Sequence, residues 1–269
     1  MESKHEYALI TGASLGIGRE IAKEFAQRKI NTLLVALDTP ELYQIQKDLR
    51  EDFHIRAETY PADLTDPACA IAIHQWCKEN DFVVKYLINN AGIGESGFLE
   101  DIALKRYCQM IDLNTKAYIA LTHQFLPDLK KLGEAYIMNT SSMEATLPLP
   151  YKAVYTGTKN FIYAFSLALN QEVRRYGVRV SVLCPGPVLT NEEGLKRIEA
   201  QGKKARMMML YPDQVASYAI KNLLGGRLVI NPGRMNRWIN RLQRLIPMHL
   251  KMRILEQMFR SYTRVSPSK

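Results

Sequence analysis

Short apolar runs alternate with longer amphipathic segments along most of the chain. Each run is apolar over most of its length, which is typical of strands buried on both faces of a parallel sheet. In the longer segments apolar residues recur at helical spacing, as Ile17, Ile21 and Phe25 do in the first of them. The runs predict strands over residues 7–11, 32–36, 55–60, 83–89, 134–139, 178–183 and 228–230. The intervening segments predict helices over 16–28, 41–52, 67–78, 99–112, 115–132 and 152–176.

This alternation predicts an α/β fold with a doubly wound parallel sheet of about seven strands and helices on both faces. No internal repeat or linker interrupts the pattern, so residues 1–269 are interpreted as one domain. Two segments look appended to it. Residues 191–210 are polar and rich in methionine. Residues 234–269 follow the last strand as a basic, amphipathic helical extension.

A glycine-rich turn lies between the first predicted strand and the first predicted helix. Glycines at such a turn let the backbone approach a pyrophosphate, and the first amides of the helix point at the anion. A tight strand-to-helix turn without any ligand is the alternative. The turn is formed by Gly12, Ser14, Leu15, Gly16, Ile17 and Gly18.

Polar and small residues mark the ends of the later strands. They are Asp63 and Leu64, Asn90, Ala91 and Gly92, Asn114, Ser141 and Ser142, Tyr155 and Lys159, and Pro185, Gly186, Val188 and Thr190. With these residues in this order, and with its Gly-x3-Gly-x-Gly turn, the chain resembles the short-chain dehydrogenase/reductase family over about residues 5–230. The resemblance implies a Rossmann-like oxidoreductase that interconverts a carbonyl and an alcohol with NAD or NADP. It also implies that the residues of the turn and of the strand ends bind that cofactor.

Tyr155 and Lys159 are four residues apart on one predicted helix, so they share a face. We expect the ammonium to lower the pKa of the phenol, which then exchanges a proton with the substrate. The resemblance implies that Tyr155 is the general acid/base and that Lys159 binds the nicotinamide ribose. Ser142 precedes Tyr155 by 13 residues and is expected to bind the substrate oxygen, with Ser141 as the neighbouring alternative. Asn114 is expected to hold a water that links Lys159 to solvent, unless it only kinks a helix.

The end of the second strand bears on the choice between NAD and NADP. An acid at this place binds the ribose hydroxyl of NAD, whereas an Arg suits the phosphate of NADP. The chain has Leu37 and Asp38 here, and Leu15 stands where NADP-preferring relatives often carry a basic residue. These side chains favour NAD. Asp38 has an alternative role as the cap of the helix that begins near Pro40.

The chain carries 36 basic and 27 acidic residues, a formal charge of +9. Residues 234–264 hold eight Arg or Lys and one acid, so most of the excess belongs to this tail. Trp238 and a stripe of Leu250, Ile254 and Met258 accompany the charge. The tail either contacts a membrane surface or anionic partner, or it packs on the domain or on a second subunit. No motif indicates nucleic-acid binding.

The sequence and the resemblance also bear on cellular location, metal binding, oligomeric state and substrate. The chain has no secretory signal and no apolar run long enough to span a bilayer, so we expect it to be cytoplasmic. The His and Cys residues show no metal-ligand spacing, so no metal is expected. The resemblance implies a homodimer or homotetramer that pairs through helices 115–131 and 152–176. It also implies that residues 191–210 form a lid over the substrate, and it favours a small apolar or lipid-like substrate. The alternative function is a regulatory or scaffold protein that binds a nicotinamide cofactor without turnover.

Overall fold

The computed structural model describes residues 6–189, 209–233, 235, 237–238 and 246–260. Seven parallel strands form one sheet in the order β3-β2-β1-β4-β5-β6-β7. The predicted doubly wound sheet is therefore confirmed. The strands are β1 (Glu6–Thr11), β2 (Asn31–Ala36), β3 (Ala57–Pro61), β4 (Val83–Asn89), β5 (Ala135–Thr140), β6 (Val178–Leu183) and β7 (Val229–Ile230).

Helices cover both faces of the sheet. They are α1 (Gly16–Gln27), α2 (Pro40–Phe53), α3 (Cys69–Glu79), α4 (Leu104–Ile111), α5 (Ala117–Lys131), α6 (Ala153–Val173), α7 (Pro212–Leu224) and α8 (Met248–Phe259). One core lies between the sheet and α1, α2 and α7, and a second lies between the sheet and α3, α5 and α6. None of the helices among the described residues is both long and apolar enough to cross a lipid bilayer.

Neighbouring residues of one strand enter opposite cores. Leu9 and Leu33, which are paired in the parallel register of β1 and β2, face the second core. Ile10 and Leu34, the next pair, face the first. Because both faces of the sheet are covered, the middle of each central strand is a run of consecutive apolar residues instead of an alternation of apolar and polar ones.

The helix pair predicted at 99–112 and 115–132 is one continuous helical run from α4 to α5. A π-helical turn, Asp112–Lys116, joins the two helices, and a 3-10 turn, Leu99–Asp101, precedes them. The buried Asn114 lies inside the π turn, so the break expected between the two predicted helices is wrong. An extra residue in one helical turn re-aims a side chain without ending the helix, and such turns are frequent at functional sites.

The chain turns back sharply after α6, which ends in the 3-10 turn Arg174–Tyr176. Gly177 follows with φ of +77°. A Cβ at Gly177 would lie 1.7 Å from the carbonyl oxygen of Gly133. Only glycine fits this crossing, which starts β6 next to β5.

Candidate active site

The sheet order reverses between β1 and β4, so helices leave these neighbouring strands toward opposite faces. A crevice opens at such a point, beyond the carboxyl ends of the strands. A cavity of about 710 Å³ occupies this position. Its walls are formed by Gly12, Leu15, Gly16, Ile17, residues 90–96, residues 140–144, Lys152, Tyr155, Lys159 and residues 185–188.

The glycine-rich turn forms one end of the cavity. Gly12 and Gly16 have φ of +65° and +57°, a region that favours glycine. A Cβ at Gly18 would lie 2.1 Å from the carbonyl oxygen of Gly12, so this residue permits the turn although it does not line the cavity. Leu15 is the N-cap of α1 and has no side-chain oxygen to accept from the first amides of the helix. The backbone is therefore arranged to bind an anionic group such as a dinucleotide phosphate.

The loop after β4 is tied to this turn by Thr11. The Thr11 hydroxyl accepts hydrogen bonds from the backbone amides of Asn90 (2.8 Å) and Ala91 (3.1 Å). The side chain of Asn90 donates back to the Thr11 carbonyl (3.1 Å). A Cβ at Gly12 would lie 2.9 Å from Cα of Ala91. These contacts hold the loop after β4 against the glycine-rich turn, and both segments line the cavity.

Lys159 lies behind the middle of the cavity and is almost fully buried. Its Nζ donates a hydrogen bond to the carbonyl oxygen of Thr140 (3.0 Å). Burial lowers the pKa of the Lys159 ammonium to about 8, because the charged form loses its hydration. Nζ also lies 5.9 Å from the ring centroid of Tyr155 and 5.9 Å from that of Tyr118.

The phenol of Tyr155 faces the cavity from the start of α6. Burial raises the pKa of this phenol above its ordinary value, and the negative charge of Glu144 raises it further. A hydrogen bond from Ser142 acts in the opposite direction. The expected lowering of the pKa by Lys159 is not what the protein produces. Burial is the largest cause of the raised pKa, and the ammonium of Lys159 is directed at a backbone carbonyl instead of at the phenol.

The two neighbouring serines point to different places. The Ser141 hydroxyl is buried and donates to the backbone carbonyl of Lys159 (2.6 Å). The Ser142 hydroxyl accepts from the amide of Glu144 (3.1 Å), which begins the 3-10 turn Met143–Thr146. That contact leaves the hydroxyl proton of Ser142 to donate toward Tyr155. Ser142 is thus the serine whose hydroxyl is available at the wall beside the phenol.

Asn114 braces the cavity from outside it. Its amide donates to the carbonyl of Ile93 (2.9 Å) and to the hydroxyl of Thr158 (3.1 Å), and its oxygen accepts from the amide of Ile93 (2.9 Å). A Cβ at Gly92 would lie 3.0 Å from Oδ1 of Asn114 and 3.2 Å from Nζ of Lys159. Asn114 and Lys159 therefore flank the same glycine, and the π turn is what brings Asn114 there.

The sequence patterns did not single out four residues that shape the site. The Thr140 carbonyl holds Lys159, and a Cβ at Gly94 would lie 3.1 Å from the Tyr155 ring. Glu144 and Lys152 line the cavity as an ion pair (3.0 Å), with Nζ of Lys152 5.9 Å from the ring centroid of Tyr155. Their separation of eight residues has no periodic signature, so no sequence signal would have paired them.

Other candidates lie at the rim or elsewhere. Leu37 and Asp38 directly follow β2 as exposed residues, and Asp38 accepts a hydrogen bond from the Tyr43 hydroxyl (2.8 Å). Thr39 is the N-cap of α2, so the interpretation of Asp38 as that cap is wrong. The carboxylate of Asp63 accepts from the amide (2.9 Å) and hydroxyl (2.8 Å) of Thr65. Two further candidates do not line the cavity: Ser14, which is half-buried, and Leu64, which is buried. The candidate Thr190 lies outside the described residues.

The predicted lid lies mostly outside the described residues, but its base is described. Val188, which lines the cavity with Pro185 and Gly186, forms an isolated parallel bridge with Leu210. The amide of Leu210 donates to the carbonyl of Pro187 (3.0 Å). The segment therefore leaves and re-enters the fold at one edge of the cavity. Among the described residues, no group of three or more His, Cys, Asp or Glu is placed to hold a metal ion.

Comparisons with known proteins agree with this geometry. The family described as short chain dehydrogenase matches residues 6–200. An uncharacterised oxidoreductase of Staphylococcus epidermidis is 31% identical over 204 residues, which are 74% of this chain and 87% of that protein. A short-chain dehydrogenase from Sphingobium yanoikuyae, solved with NADPH, aligns with a TM-score of 0.77 and 30% identity over 87% of this chain and 90% of its own. An alcohol dehydrogenase from Comamonas testosteroni specific for bulky-bulky ketones aligns with a TM-score of 0.77 and 26% identity over 99% and 98%.

The family predicted from the motifs is thereby confirmed, and the comparisons do not support the alternative of a scaffold without turnover. The position of the cavity at the reversal of strand order, next to a glycine-rich turn with uncapped amides, is the one expected of a dinucleotide-binding oxidoreductase. The chain belongs to the short-chain dehydrogenase family and is an NAD(P)-dependent oxidoreductase of alcohol and carbonyl groups.

Proposed function

We propose that this chain interconverts an apolar ketone and its alcohol, with Tyr155 as the general acid/base and Ser142 as the ligand of the substrate oxygen. One observation carries the proposal. The phenol of Tyr155 and the hydroxyl of Ser142 share one wall of the cavity, with Lys159 directly behind them. A carbonyl oxygen that binds between the two hydroxyls accepts hydrogen bonds from both, and these strengthen as its negative charge develops.

The bound nicotinamide supplies the hydride acceptor or donor, and the protein supplies the proton. Because the pKa of Tyr155 is raised, its phenol is protonated at neutral pH. A protonated phenol can donate to the forming alkoxide in ketone reduction, whereas alcohol oxidation requires the phenolate and is therefore expected to be faster at higher pH. Lys159, held by the Thr140 carbonyl, is proposed to bind the ribose hydroxyls of the cofactor. Asn114 is proposed to support the water through which Tyr155 regains its proton.

We propose NAD as the preferred cofactor. Leu15 and Leu37 are both 59% exposed and offer no positive charge to a phosphate. The hydrogen bond from Tyr43 holds the Asp38 carboxylate in place, where it suits a ribose hydroxyl and repels a phosphate. The Sphingobium relative carries NADPH, so this preference rests on the three side chains and not on the comparisons.

The cofactor choice is tested with kcat/KM for both nucleotides. The unaltered protein should prefer NADH, and Leu37→Arg combined with Asp38→Asn should move the preference toward NADPH by at least about tenfold, since an Arg–phosphate pair replaces a repulsive carboxylate. Leu104→Arg combined with Asp101→Asn makes the same change of charge at another exposed site and is the control. A preference for NADPH in the unaltered protein would refute the assignment.

An apolar substrate is supported by the lining of the cavity. Ile93, Met143 and Val188 are apolar residues that line the cavity together with Tyr155. Residues 191–210 are proposed as the lid that completes this pocket, since both ends of the segment meet beside Val188. The substrate preference printed for the Comamonas relative, bulky-bulky ketones, is the first class to assay.

The proposed reaction is tested by following NADH or NADPH at 340 nm with a panel of aliphatic, aryl and steroid-sized ketones. Tyr155→Phe should lower kcat by about 100- to 10,000-fold, because it removes the proton donor. Cofactor affinity, measured by quenching of protein fluorescence, should stay within about threefold. Tyr163→Phe, on the same helix, is the matched control and should keep its activity.

Two results would contradict this scheme. Full activity of Tyr155→Phe would exclude the phenol as the general acid/base. Cofactor binding without turnover of any carbonyl in the panel would favour the scaffold alternative over an enzyme for these substrates.

We also propose an oligomeric state and a cellular location. A homodimer or homotetramer that pairs through α5 and α6 is supported by the exposed side chains of Ile119 and Phe161 on these helices. Light scattering of the full chain measures the molar mass, and a monomer would refute it. A cytoplasmic location is tested by fractionation of the source cells.

A further inference from the structure

The C-terminal helix α8 has two apolar faces, and only one of them is covered. Leu255 is buried and packs against Leu147 and Leu149, with Phe259 beside them. Leu250, Ile254 and Met258 recur at intervals of four residues on a different face of the helix. Their side chains are 46%, 42% and 63% exposed. The apolar stripe read from the sequence is therefore the face that the fold leaves uncovered.

The covered face joins α8 to the wall of the active-site cavity. The Tyr151 hydroxyl donates to Oε1 of Glu256 (3.1 Å). Nζ of Lys152 lies 5.8 Å from the ring centroid of Phe259 and 5.9 Å from that of Tyr155. Tyr151 and Lys152 directly precede α6, which carries Tyr155. A partner bound to the outer face of α8 would therefore lie close to the cavity that Lys152 and Tyr155 line.

The positive charge of the tail distinguishes between two partners that could cover the stripe, a second copy of the chain and an anionic surface. Residues 234–264 carry eight Arg or Lys and one acid. Arg253 is exposed on α8 and has no ion-pair partner among the described residues. Among the described basic residues on or next to α8, Lys251 is buried and Arg260 pairs with Glu256, so Arg253 is the exposed cation beside the stripe. A second copy packed on this face would bring two such cations close together, which is unfavourable. An anionic surface attracts them, at about 1 kcal/mol for each Arg or Lys near a charged bilayer.

The remaining exposed apolar side chains of the tail fit the same partner. Trp238, Ile246 and Met248 are also exposed, at 63%, 36% and 56%. Tryptophan favours the boundary between lipid and water because its ring is apolar and its N–H is polar. A short helix with an apolar stripe and basic flanks lies in the plane of such a boundary.

We propose that the outer face of α8, formed by Leu250, Ile254 and Met258 with Arg253, binds the surface of an anionic lipid bilayer. The oxidoreductase then works with its cavity next to the membrane, where apolar ketones and alcohols partition. Delivery of substrate from the bilayer rests on the proposed function, whereas binding of the bilayer does not. The two parts are separable because vesicle binding is measured without turnover.

The test is co-sedimentation of the full chain with vesicles of phosphatidylcholine alone and of phosphatidylcholine with phosphatidylglycerol at 3:1. We expect binding to the anionic vesicles that weakens in 0.5 M salt. Replacing Leu250, Ile254 and Met258 together by Gln should lower the affinity by about 100-fold, because three partly exposed apolar side chains lose their burial in lipid. Arg253→Gln should lower it about fivefold.

The matched control replaces Ile71, Leu104 and Leu132 by Gln. These side chains are 56%, 76% and 40% exposed but lie outside the tail, so this variant should bind vesicles like the unaltered protein. Because Leu255 and Phe259 are retained, the α8 variant should unfold at the same temperature as the unaltered protein.

Three outcomes would overturn the proposal. They are no binding to anionic vesicles, equal binding by the unaltered protein and the α8 variant, and equal loss of binding in the control variant. A fall in molar mass of the α8 variant, seen by light scattering, together with unchanged vesicle binding would assign the face to a second copy of the chain.

Discussion

Lys159 is a buried cation, so its replacement should make the fold more stable while it removes activity. Burial lowers the pKa of Lys159 from 10.5 to about 8. At pH 7 Lys159 is protonated in both states. In the folded protein its ammonium is buried and loses hydration, which costs free energy, whereas in the unfolded chain it stays hydrated. The difference between the two pKa values corresponds to about 3 kcal/mol at about 1.4 kcal/mol per pH unit. Lys159→Met removes that penalty.

The variant also loses a favourable contact. The hydrogen bond from Nζ to the carbonyl of Thr140 contributes about 1 kcal/mol, and the variant leaves that carbonyl without this donor. The net expectation is a free energy of unfolding about 2 kcal/mol higher than that of the unaltered protein at pH 7.

The pH dependence gives the prediction its sign. The folded-state pKa lies below the unfolded value, so between pH 8 and 10.5 the unfolded state binds more protons and the stability of the unaltered protein rises with pH. At pH 9.5 the remaining penalty is about 1 kcal/mol, similar to the lost hydrogen bond. The advantage of Lys159→Met should therefore shrink to near zero.

Urea unfolding of the cofactor-free protein at pH 7 and pH 9.5 measures both values, at one fixed protein concentration. Lys47→Met, an exposed lysine of α2, is the control and should change the free energy of unfolding by less than about 0.5 kcal/mol at either pH. A Lys159→Met variant that is destabilised at pH 7, or whose advantage does not change with pH, would refute the reasoning.

Three smaller substitutions test the walls of the cavity. Glu144→Gln removes the charge that raises the pKa of Tyr155, so the acid limb of the pH profile for alcohol oxidation should move to lower pH; an unchanged limb in steady-state assays would contradict this. A Cβ at Gly94 would lie 3.1 Å from the Tyr155 ring, so Gly94→Ala should lower kcat about tenfold while the cofactor Kd from fluorescence titration stays within about twofold; unchanged kcat would show that the ring has room to move. A Cβ at Gly18 would lie 2.1 Å from the carbonyl oxygen of Gly12, so Gly18→Ala should weaken cofactor binding and lower the free energy of unfolding by about 1–3 kcal/mol; normal values of both in titration and urea unfolding would show that the turn is not tight.

Local pattern was enough to predict the architecture and the order of the site motifs. The central strands contain runs of consecutive apolar residues because both faces of the sheet are covered, and such runs can be recognised in the sequence. The glycine-rich turn could also be predicted from the sequence. Gly12 and Gly16 have positive φ angles, and Gly18 lies too close to the Gly12 carbonyl for a Cβ. The spacing of Tyr155 and Lys159 on one helix places them on one face in any α-helix.

Contacts between distant segments decided the remaining features. The pKa of Tyr155 is raised because neighbours from other elements exclude water, and no spacing in the sequence reports that burial. Ser141 and Ser142 are neighbouring serines and both line the cavity, yet the Ser141 hydroxyl is bound to the Lys159 carbonyl of α6, whereas the Ser142 hydroxyl lies beside the Tyr155 phenol. Asn114 reaches Ile93 because a π turn re-aims it, and helical periodicity does not predict that turn.

The tail illustrates the same division. Its charge and its stripe of Leu250, Ile254 and Met258 follow from the sequence alone. Which face of α8 is covered does not, because Leu255 finds its partners in residues about a hundred positions earlier in the chain. Periodicity determines which residues share a face of a helix, whereas the tertiary contacts determine which face remains in contact with solvent.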